Sequence, residues 1–200
     1  TFSIGNKAYM GGGYNPLVTT DHLQFWEFDP ITDTWSQKAD IPSYRYGASG
    51  FSIGTKGYML GGSNVATWLP ELWAFDPALN TWVQKGAYPG SFPIGVHAIV
   101  AGSKAYTYGL HATNPVQECW VYDPSLDSWT TTSDFPGGRR TGMSGFSVGN
   151  KVYLGFGADG STQFNDLWEF DPTTLVWTSR ASLPATSRAN ASSFAIGTRG

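Results

Sequence analysis

Three arginines share one position relative to a recurring phenylalanine, which follows six residues later: Arg45, Arg140 and Arg188 precede Phe51, Phe146 and Phe194. A guanidinium group has five hydrogen-bond donors and a permanent positive charge, so it can hold a ligand carboxylate or brace a loop by donating to backbone carbonyls. On a chain with a net charge of -3, these arginines would form a local positive site. The sequence leaves both roles open.

Aromatic residues that could stack against a ligand flank Arg45 or lie in turn-rich segments: Tyr14, Tyr44, Tyr46 and Trp68. Exposed aromatic rings are frequent at interfaces, and they offer stacking surface to a sugar or a peptide. Trp68 lies in a segment, 65–70, for which we expect no counterpart elsewhere in the chain. It is either a stacking platform or a lid over a sheet edge. His111 begins another irregular segment, 111–114, and completes the candidate binding residues.

Residue types that bind metals are present but scattered: His22, His97, His111 and Cys119. A metal site needs ligands at a defined spacing, and these positions share none. The single cysteine excludes an internal disulfide, and a thiol within a predicted strand is usually just buried. Gly-x-Ser-x-Gly, His-Glu-x-x-His and P-loop motifs do not occur in the sequence. We therefore predict no catalytic residue, metal or cofactor.

An Asp-Pro pair recurs four times, and three copies carry Asp or Asn four residues after the first Asp; the pairs begin at Asp29, Asp76, Asp123 and Asp171. Such acidic spacing suggests a calcium loop, but Leu175 interrupts the fourth copy, and no glycine or terminal glutamate stands at loop spacing. Aspartate supplies an acceptor at the first turn position, and proline presets φ at the second. The pair therefore predicts a tight turn.

Charge and composition limit the range of partners. Twelve Lys and Arg against 15 Asp and Glu give no field that would hold a polyanion, so nucleic acid is not expected. No run approaches the roughly 18 apolar residues that a membrane span needs. No charged and then apolar leader is present, so we expect a signal peptide to be absent or to lie upstream. The 25 glycines and 16% aromatic residues indicate many turns and many packing anchors.

The chain is periodic, which places the candidate residues in a common framework. A block of the form Phe-Ser-Ile-Gly-Asn-Lys recurs with its glycines 47 to 49 residues apart: Gly5, Gly54, Gly102, Gly149 and Gly197. A second block carries two tryptophans nine residues apart in each of four copies. The repeats span about 1–47, 48–95, 96–142 and 143–190, and a fifth begins over 191–200.

Each repeat contains four short apolar or alternating runs separated by turn residues, the pattern of β-strands. In the second repeat we predict strands at 48–53, 57–60, 71–75 and 81–85. Antiparallel strands joined in sequence place the first and third turns at one end of the sheet. The turns at that end are short and nearly constant, whereas the second connections at the other end vary in content. Variable loops on a regular scaffold are the expected location of recognition.

The repeat resembles the kelch repeat of β-propellers. The resemblance covers nearly the whole chain and includes a diglycine after the second strand, as at Gly61-Gly62, and an Arg-x-Gly that opens the next blade, as at Arg45-Tyr-Gly47. It departs from the pattern where Phe156 and Asn190 replace glycines. The resemblance implies four four-stranded antiparallel blades belonging to a larger ring of six or seven blades. The repeat sequences are similar to those of kelch arrays in exported bacterial proteins, which implies an extracellular or cell-surface location.

For function, the resemblance implies a binding or scaffolding module with a protein or carbohydrate ligand on the variable end. In related kelch domains the arginines of the Arg-x-Gly motif line the mouth of the central channel and receive carboxylates, which suggests an anionic group on the partner. The alternative is a propeller enzyme acting on sugars, either a copper oxidase similar to galactose oxidase or an isomerase of sialic acid. No residue of this sequence can be assigned to either chemistry, so its catalytic residues would lie partly outside the 200 residues.

Overall fold

The computed structural model describes residues 1–15, 23–64, 66–91, 94–111 and 114–200, and between 109 and 118 it describes the backbone only. Within these ranges the chain forms strands and no helix, and therefore nothing that could serve as a membrane-spanning helix. The strands are β1 Phe2–Ile4, β2 Lys7–Gly11, β3 Phe25–Asp29, β4 Thr34–Lys38, β5 Ser49–Ile53, β6 Lys56–Leu60, β7 Leu72–Asp76, β8 Thr81–Lys85, β9 His97–Ala101, β10 Lys104–His111, β11 Asn114–Asp123, β12 Ser128–Thr131, β13 Ser144–Val148, β14 Lys151–Gly155, β15 Leu167–Asp171 and β16 Val176–Arg180.

The strands form four separate four-stranded antiparallel sheets, each built from consecutive strands. In the second sheet Phe51 pairs with Tyr58, Gly57 with Phe75, and Phe75 with Trp82, so the register runs unbroken across all four strands. The predicted blades and the strand order within them are confirmed, and the predicted strand ends differ from the observed ones by one residue at most in this sheet.

The chain divides into two compact units, each containing two sheets. The first unit comprises Thr1–Ile94 and the second Gly95–Gly200. In the first unit, aromatic side chains fill the space between the two sheets: Phe25 contacts Phe75 with ring centroids 4.9 Å apart, and Trp82 contacts Phe25 at 4.9 Å. The Trp82 indole also donates to the Ala39 carbonyl at 3.0 Å. This tryptophan therefore links one blade to the previous one, as its fixed repeat position predicted.

The second unit has an equivalent core. Trp177 contacts Tyr108 and Phe135 with ring centroids 5.5 and 5.2 Å apart, and its indole donates to the Ser133 carbonyl at 3.3 Å. Cys119 is buried in this core, and burial raises the pKa of its thiol to about 12. The prediction that this cysteine is simply a buried side chain is confirmed.

The short turns at one end of each sheet form what we call the constant rim. In the first unit, Lys7 of the first turn pairs with Asp29 of the third at 3.5 Å, and in the second unit Lys104 pairs with Asp123 at 3.0 Å. The Asp29 carboxylate also accepts from the Ile31 amide at 2.9 Å, and the other Asp-Pro turns repeat this bond. The Asp-Pro pair thus forms the predicted turn, and the turn holds a lysine of its own sheet.

Three residues that depart from the repeat pattern keep the left-handed backbone conformation found at the equivalent positions of the other repeats. Asn190 has a φ of 57° where the Arg-x-Gly motif carries glycine, and Phe156 has a φ of 61° in place of the first glycine of the pair. Leu175 has a φ of 59° at a position that is Asp or Asn in the other three turns. Asparagine tolerates this left-handed region, whereas leucine and phenylalanine are strained there.

Candidate ligand-binding rim

The end of each sheet opposite the constant rim carries the longer connections, and we call it the variable rim. In the first unit its connections bond to one another: the Gly13 amide donates to the Arg45 carbonyl at 2.9 Å, and the Ile41 amide donates to the Leu23 carbonyl at 2.8 Å. The Tyr46 amide also donates to the Ser63 carbonyl at 2.9 Å, so the connection between the two blades lies against the second connections of both sheets. The predicted separation of two different rims is confirmed.

Arg45 is buried in this rim, with 1% of its surface exposed. Its guanidinium forms an ion pair with Glu71 and donates to the Gly61 carbonyl at 2.9 Å and the Ser43 carbonyl at 3.3 Å. Glu71 also accepts from the Trp73 indole at 3.0 Å. We call this set of arginine, acid and tryptophan an arginine brace, because it joins the connection between blades to the start of the third strand.

A second arginine brace recurs in the second unit around Arg140, which is 4% exposed. Its guanidinium forms an ion pair with Asp166, donates to the Gly137 carbonyl at 2.9 Å and lies 3.7 Å from the centroid of the Phe164 ring. Asp166 accepts from the Trp168 indole at 2.8 Å. The two braces therefore share an arginine, an acid 26 residues later and a tryptophan two residues after the acid, and they differ in the acid and in the other groups that contact the guanidinium.

The acids of the braces are held in their charged form. Burial alone would raise the pKa of Glu71, but hydrogen bonds from Trp73 and Arg45 lower it below its usual range. Burial would likewise raise the pKa of Asp166, but hydrogen bonds from Arg140 and Trp168 lower it below its usual range. Burial lowers the pKa of Arg45 and Glu71 raises it, yet an arginine so paired stays charged at neutral pH. Each brace is thus an internally neutral pair.

Arg188 occupies the same motif position but a different environment. Its side chain is exposed, and its Nε donates to the Thr186 carbonyl at 3.1 Å. The structure thus gives Arg45 and Arg140 internal partners, the bracing arrangement, and leaves the guanidinium of Arg188 in solvent. Ligand binding by the three arginines stays a prediction.

The predicted tyrosines of the first unit lie together. Tyr14 contacts Tyr46 with ring centroids 5.4 Å apart, and Tyr44 lies 6.4 Å from Tyr46. Tyr14 has 60% of its surface exposed, and the other two rings are partly buried. We call these three residues the tyrosine cluster. It provides a continuous aromatic surface on the variable rim beside Arg45, whose own charge faces inward to Glu71.

Trp68 ends a short hairpin of residues 63–68, the first hairpin, of which residue 65 is outside the described residues. Ser63 pairs with both Tyr46 and Trp68, and the Asn64 side chain accepts from the amides of Ala66 and Thr67 at 2.9 and 2.7 Å. The expectation that this segment has no counterpart is wrong. Residues 158–163 form a second hairpin of the same length, in which Ala158 pairs with Thr141 and Gln163.

The two hairpins were not recognised as equivalent because their side chains share little. The two hairpins share the same backbone hydrogen bonds. The Leu69 amide donates to the Gly62 carbonyl at 2.9 Å in the first, and the Phe164 amide donates to the Gly157 carbonyl at 3.0 Å in the second. The acids of the braces were missed as well. A sequence signal for them does exist, since Glu71 and Asp166 each follow their arginine by 26 residues and precede a repeat tryptophan by two.

Two cavities open on the variable rim of the first unit. One, of about 490 Å³, is lined by Ala66, Thr67, Trp68, Pro70, Gly90 and Ser91. The other, of about 280 Å³, is bordered chiefly by the glycines 11 to 13, Arg45, Tyr46 and Met59. Both volumes are near or within the range of small-ligand sites, roughly 300–1,000 Å³. Trp68 and Tyr46, one member of the tyrosine cluster, therefore each border a concave surface.

The scattered metal-binding types are not assembled in the part of the chain that the structure describes, where no three His, Cys, Asp or Glu side chains group as ligands. His97 is exposed at the start of β9, and Cys119 is buried. His22 lies outside the described residues. His111 ends β10 and pairs through its backbone with Asn114, but its side chain is outside the described part.

The four-bladed architecture and its two unlike rims define a β-propeller array. The family model described as the KLHDC2/KLHL20/DRC7 Kelch-repeats domain matches residues 1–154. The chain therefore belongs to the kelch-repeat family, as the sequence resemblance indicated. Propellers of this family generally mediate protein binding.

A solved structure titled "Structure of YjhT" is similar to this chain, with a TM-score of 0.75 and 18% identity over 91% of this chain and 64% of that one. At this identity the likeness shows the fold alone. It is one of 188 solved chains that match, so the fold assignment does not depend on a single neighbour. This chain spans 64% of the length of that structure. No curated protein sequence matches it.

Proposed function

We propose that this chain is a protein-binding module whose partner docks on the variable rim of the first unit. The observation that carries the proposal is the tyrosine cluster, in which three rings adjoin on the rim where the connections vary. Tyrosines supply large contact area at low conformational cost and are enriched among residues that dominate binding energy. Membership of the kelch family supports protein binding as the class of function, and the tyrosine cluster supports this location for the partner.

The braces limit how a partner can be held. Arg45 is already paired with Glu71, so it has no free charge for a ligand carboxylate unless that pair breaks. Breaking it would leave Glu71 without its partner on a partly buried rim, which is costly. In our proposal the partner is therefore held mainly by aromatic contacts, with the charge of Arg45 directed inward to Glu71.

The proposal is tested with peptides selected from a random library on the intact chain. For the selected peptides, Tyr14→Ala and Tyr46→Ala should each weaken binding about tenfold or more, as expected for residues at the centre of an interface. Thr55→Ala, in an exposed turn of the constant rim, is the control and should leave affinity unchanged. Equal affinity for wild type and both tyrosine variants, or a loss confined to Thr55→Ala, contradicts the proposal.

We also propose that the partner is extracellular, because the repeats resemble those of exported bacterial proteins. Fractionation of cells expressing the full-length gene tests this part separately. Recovery of the protein outside the cell or on its surface supports an extracellular partner, and recovery in the cytosol alone contradicts it. Neither result bears on the tyrosine cluster, since a binding surface is compatible with either compartment.

A further inference from the structure

Trp68 is fixed at the edge of the larger cavity. About half of its surface is in solvent, at 45% exposed, while both neighbours in the chain are anchored. The Thr67 amide donates to the Asn64 side chain at 2.7 Å, and Leu69 is buried and donates to the Gly62 carbonyl at 2.9 Å. An aromatic ring on a rigid hairpin loses little freedom when a ligand covers it.

The described lining of this cavity carries no charge. It combines the indole of Trp68 with the small residues Ala66 and Gly90, which leave room beside the ring, and with the hydroxyl groups of Thr67 and Ser91. The nearest brace is neutral, because Glu71 is paired with Arg45. An ionised ligand would lose its hydration here without gaining a partner charge, which is unfavourable.

A large aromatic face beside a few hydroxyl groups matches one class of ligand. A pyranose ring has a face of C–H groups that packs on an aromatic ring and an edge of hydroxyls that needs hydrogen-bond partners. We propose that Trp68 and this cavity form a binding site for a neutral saccharide, with one sugar ring on the indole and its hydroxyls bonded to Thr67 and Ser91. This site is separate from the tyrosine cluster and does not depend on the proposed protein partner.

The chain supplies its own reference for this site. The second hairpin has the same length and the same backbone bonds, but it carries Gln163 at the position of Trp68. Trp68→Gln therefore places on the first hairpin a residue that this hairpin type already tolerates. Its melting temperature should stay close to that of the wild type, so that a change in binding can be assigned to the lost ring.

The experiment is a titration of the 200-residue chain with cellohexaose, mannohexaose and hexa-N-acetylchitohexaose by saturation-transfer NMR and calorimetry. We expect at least one of these neutral oligosaccharides to bind with micromolar to millimolar affinity. Trp68→Gln should weaken that binding about tenfold or more, whereas Trp68→Tyr, which keeps a ring, should retain most of it. Oxidation of the C6 hydroxyls of cellohexaose to carboxylates, which adds charge to the same sugar, should not improve binding.

Two results overturn the proposal. One is the failure of all three neutral oligosaccharides to bind the wild-type chain at millimolar concentration. The other is equal binding by wild type and Trp68→Gln, which would place the sugar elsewhere on the molecule. If Trp68→Gln instead abolishes binding of the selected peptides and no sugar binds, Trp68 belongs to the protein-binding surface. Because the peptide test rests on Tyr14 and Tyr46, either proposal can fail alone.

Discussion

The first and second hairpins have the same backbone and different surfaces. Each is paired to the connection between blades, each follows a glycine with a left-handed backbone, and each precedes the acid of an arginine brace. The first presents Trp68 and the second presents Gln163 at the same position. The comparison shows that the braces and glycines determine the shape of the variable rim, while the side chains displayed on it can change without altering that shape.

Removal of a brace arginine should have the largest effect. Arg45→Ala and Arg140→Ala each leave a partly buried carboxylate without its ion-pair partner and two backbone carbonyls without the guanidinium donor, so each should lower the free energy of unfolding by about 3 kcal/mol. Denaturant unfolding of the single variants measures this. Arg188→Ala is the matched control, since its exposed side chain should contribute less than about 0.5 kcal/mol.

This series separates bracing from ligand binding by the same motif. If the arginines are braces, peptide affinity should stay within a few fold for the folded Arg45→Ala variant while its stability falls. Unchanged stability of Arg45→Ala and Arg140→Ala, together with lost affinity, would show that the ion pairs of the braces are not what holds these arginines in place.

Replacement of the glycine before each hairpin should cause the second-largest loss of stability. Gly62 has a φ of 97°, and an added Cβ would lie 2.8 Å from the Tyr46 carbonyl; Gly157 has a φ of 86°, and its Cβ would lie 2.7 Å from the Thr141 carbonyl. We expect Gly62→Ala and Gly157→Ala to cost about 2 to 3 kcal/mol of stability each, from backbone strain and crowding together.

Gly54→Ala is the control for this pair. Gly54 has a φ of 61° in a turn of the constant rim, with nothing within 4 Å of an added Cβ. It should show only the strain of the left-handed backbone, about 1 kcal/mol. If Gly62→Ala costs no more than Gly54→Ala, the close approach to the carbonyl does not shape the variable rim.

Exchange of leucine and asparagine at equivalent positions of two Asp-Pro turns should have smaller effects on stability. The change should stabilise the turn in the second unit and destabilise the turn in the first. Leu175 is 53% exposed and strained, so Leu175→Asn should stabilise the chain by about 1 kcal/mol. Asn80→Leu introduces that strain and removes a 2.9 Å bond from the Ala39 amide, so it should destabilise by about 1 to 2 kcal/mol. Melting temperatures of both variants test this, and a loss of stability in Leu175→Asn would contradict it.

The fold could be predicted from the sequence because the signals for it are local. Blocks with fixed glycine and tryptophan spacing define each strand and each tight turn, and a turn is decided by residues within it, as at Asp29. The burial of Cys119 follows from its place in a strand. These elements confirm the predicted blades and the two rims.

The candidate site was harder to predict because its contacts join residues far apart in the sequence. Arg45 and Glu71 are separated by 26 residues. Nothing in the motif around the arginine shows that it will pair with an acid just before the third strand of the next sheet. The equivalence of the hairpins was hidden for a related reason, since backbone bonds rather than side chains define it. Whether Tyr14, Tyr44, Tyr46, Trp68 and Arg188 bind a partner stays a prediction.

The central claim is that the partner docks on the variable rim and not on the constant rim, and hydrogen exchange of the intact chain with a selected peptide tests it most directly. Binding should slow exchange of backbone amides at 12–15, 43–48, 61–64 and 66–69, in the connections of the variable rim in the first unit. Amides in the turns at 5–6, 31–33, 54–55 and 78–80 should exchange at unchanged rates. Protection confined to those turns would contradict the account.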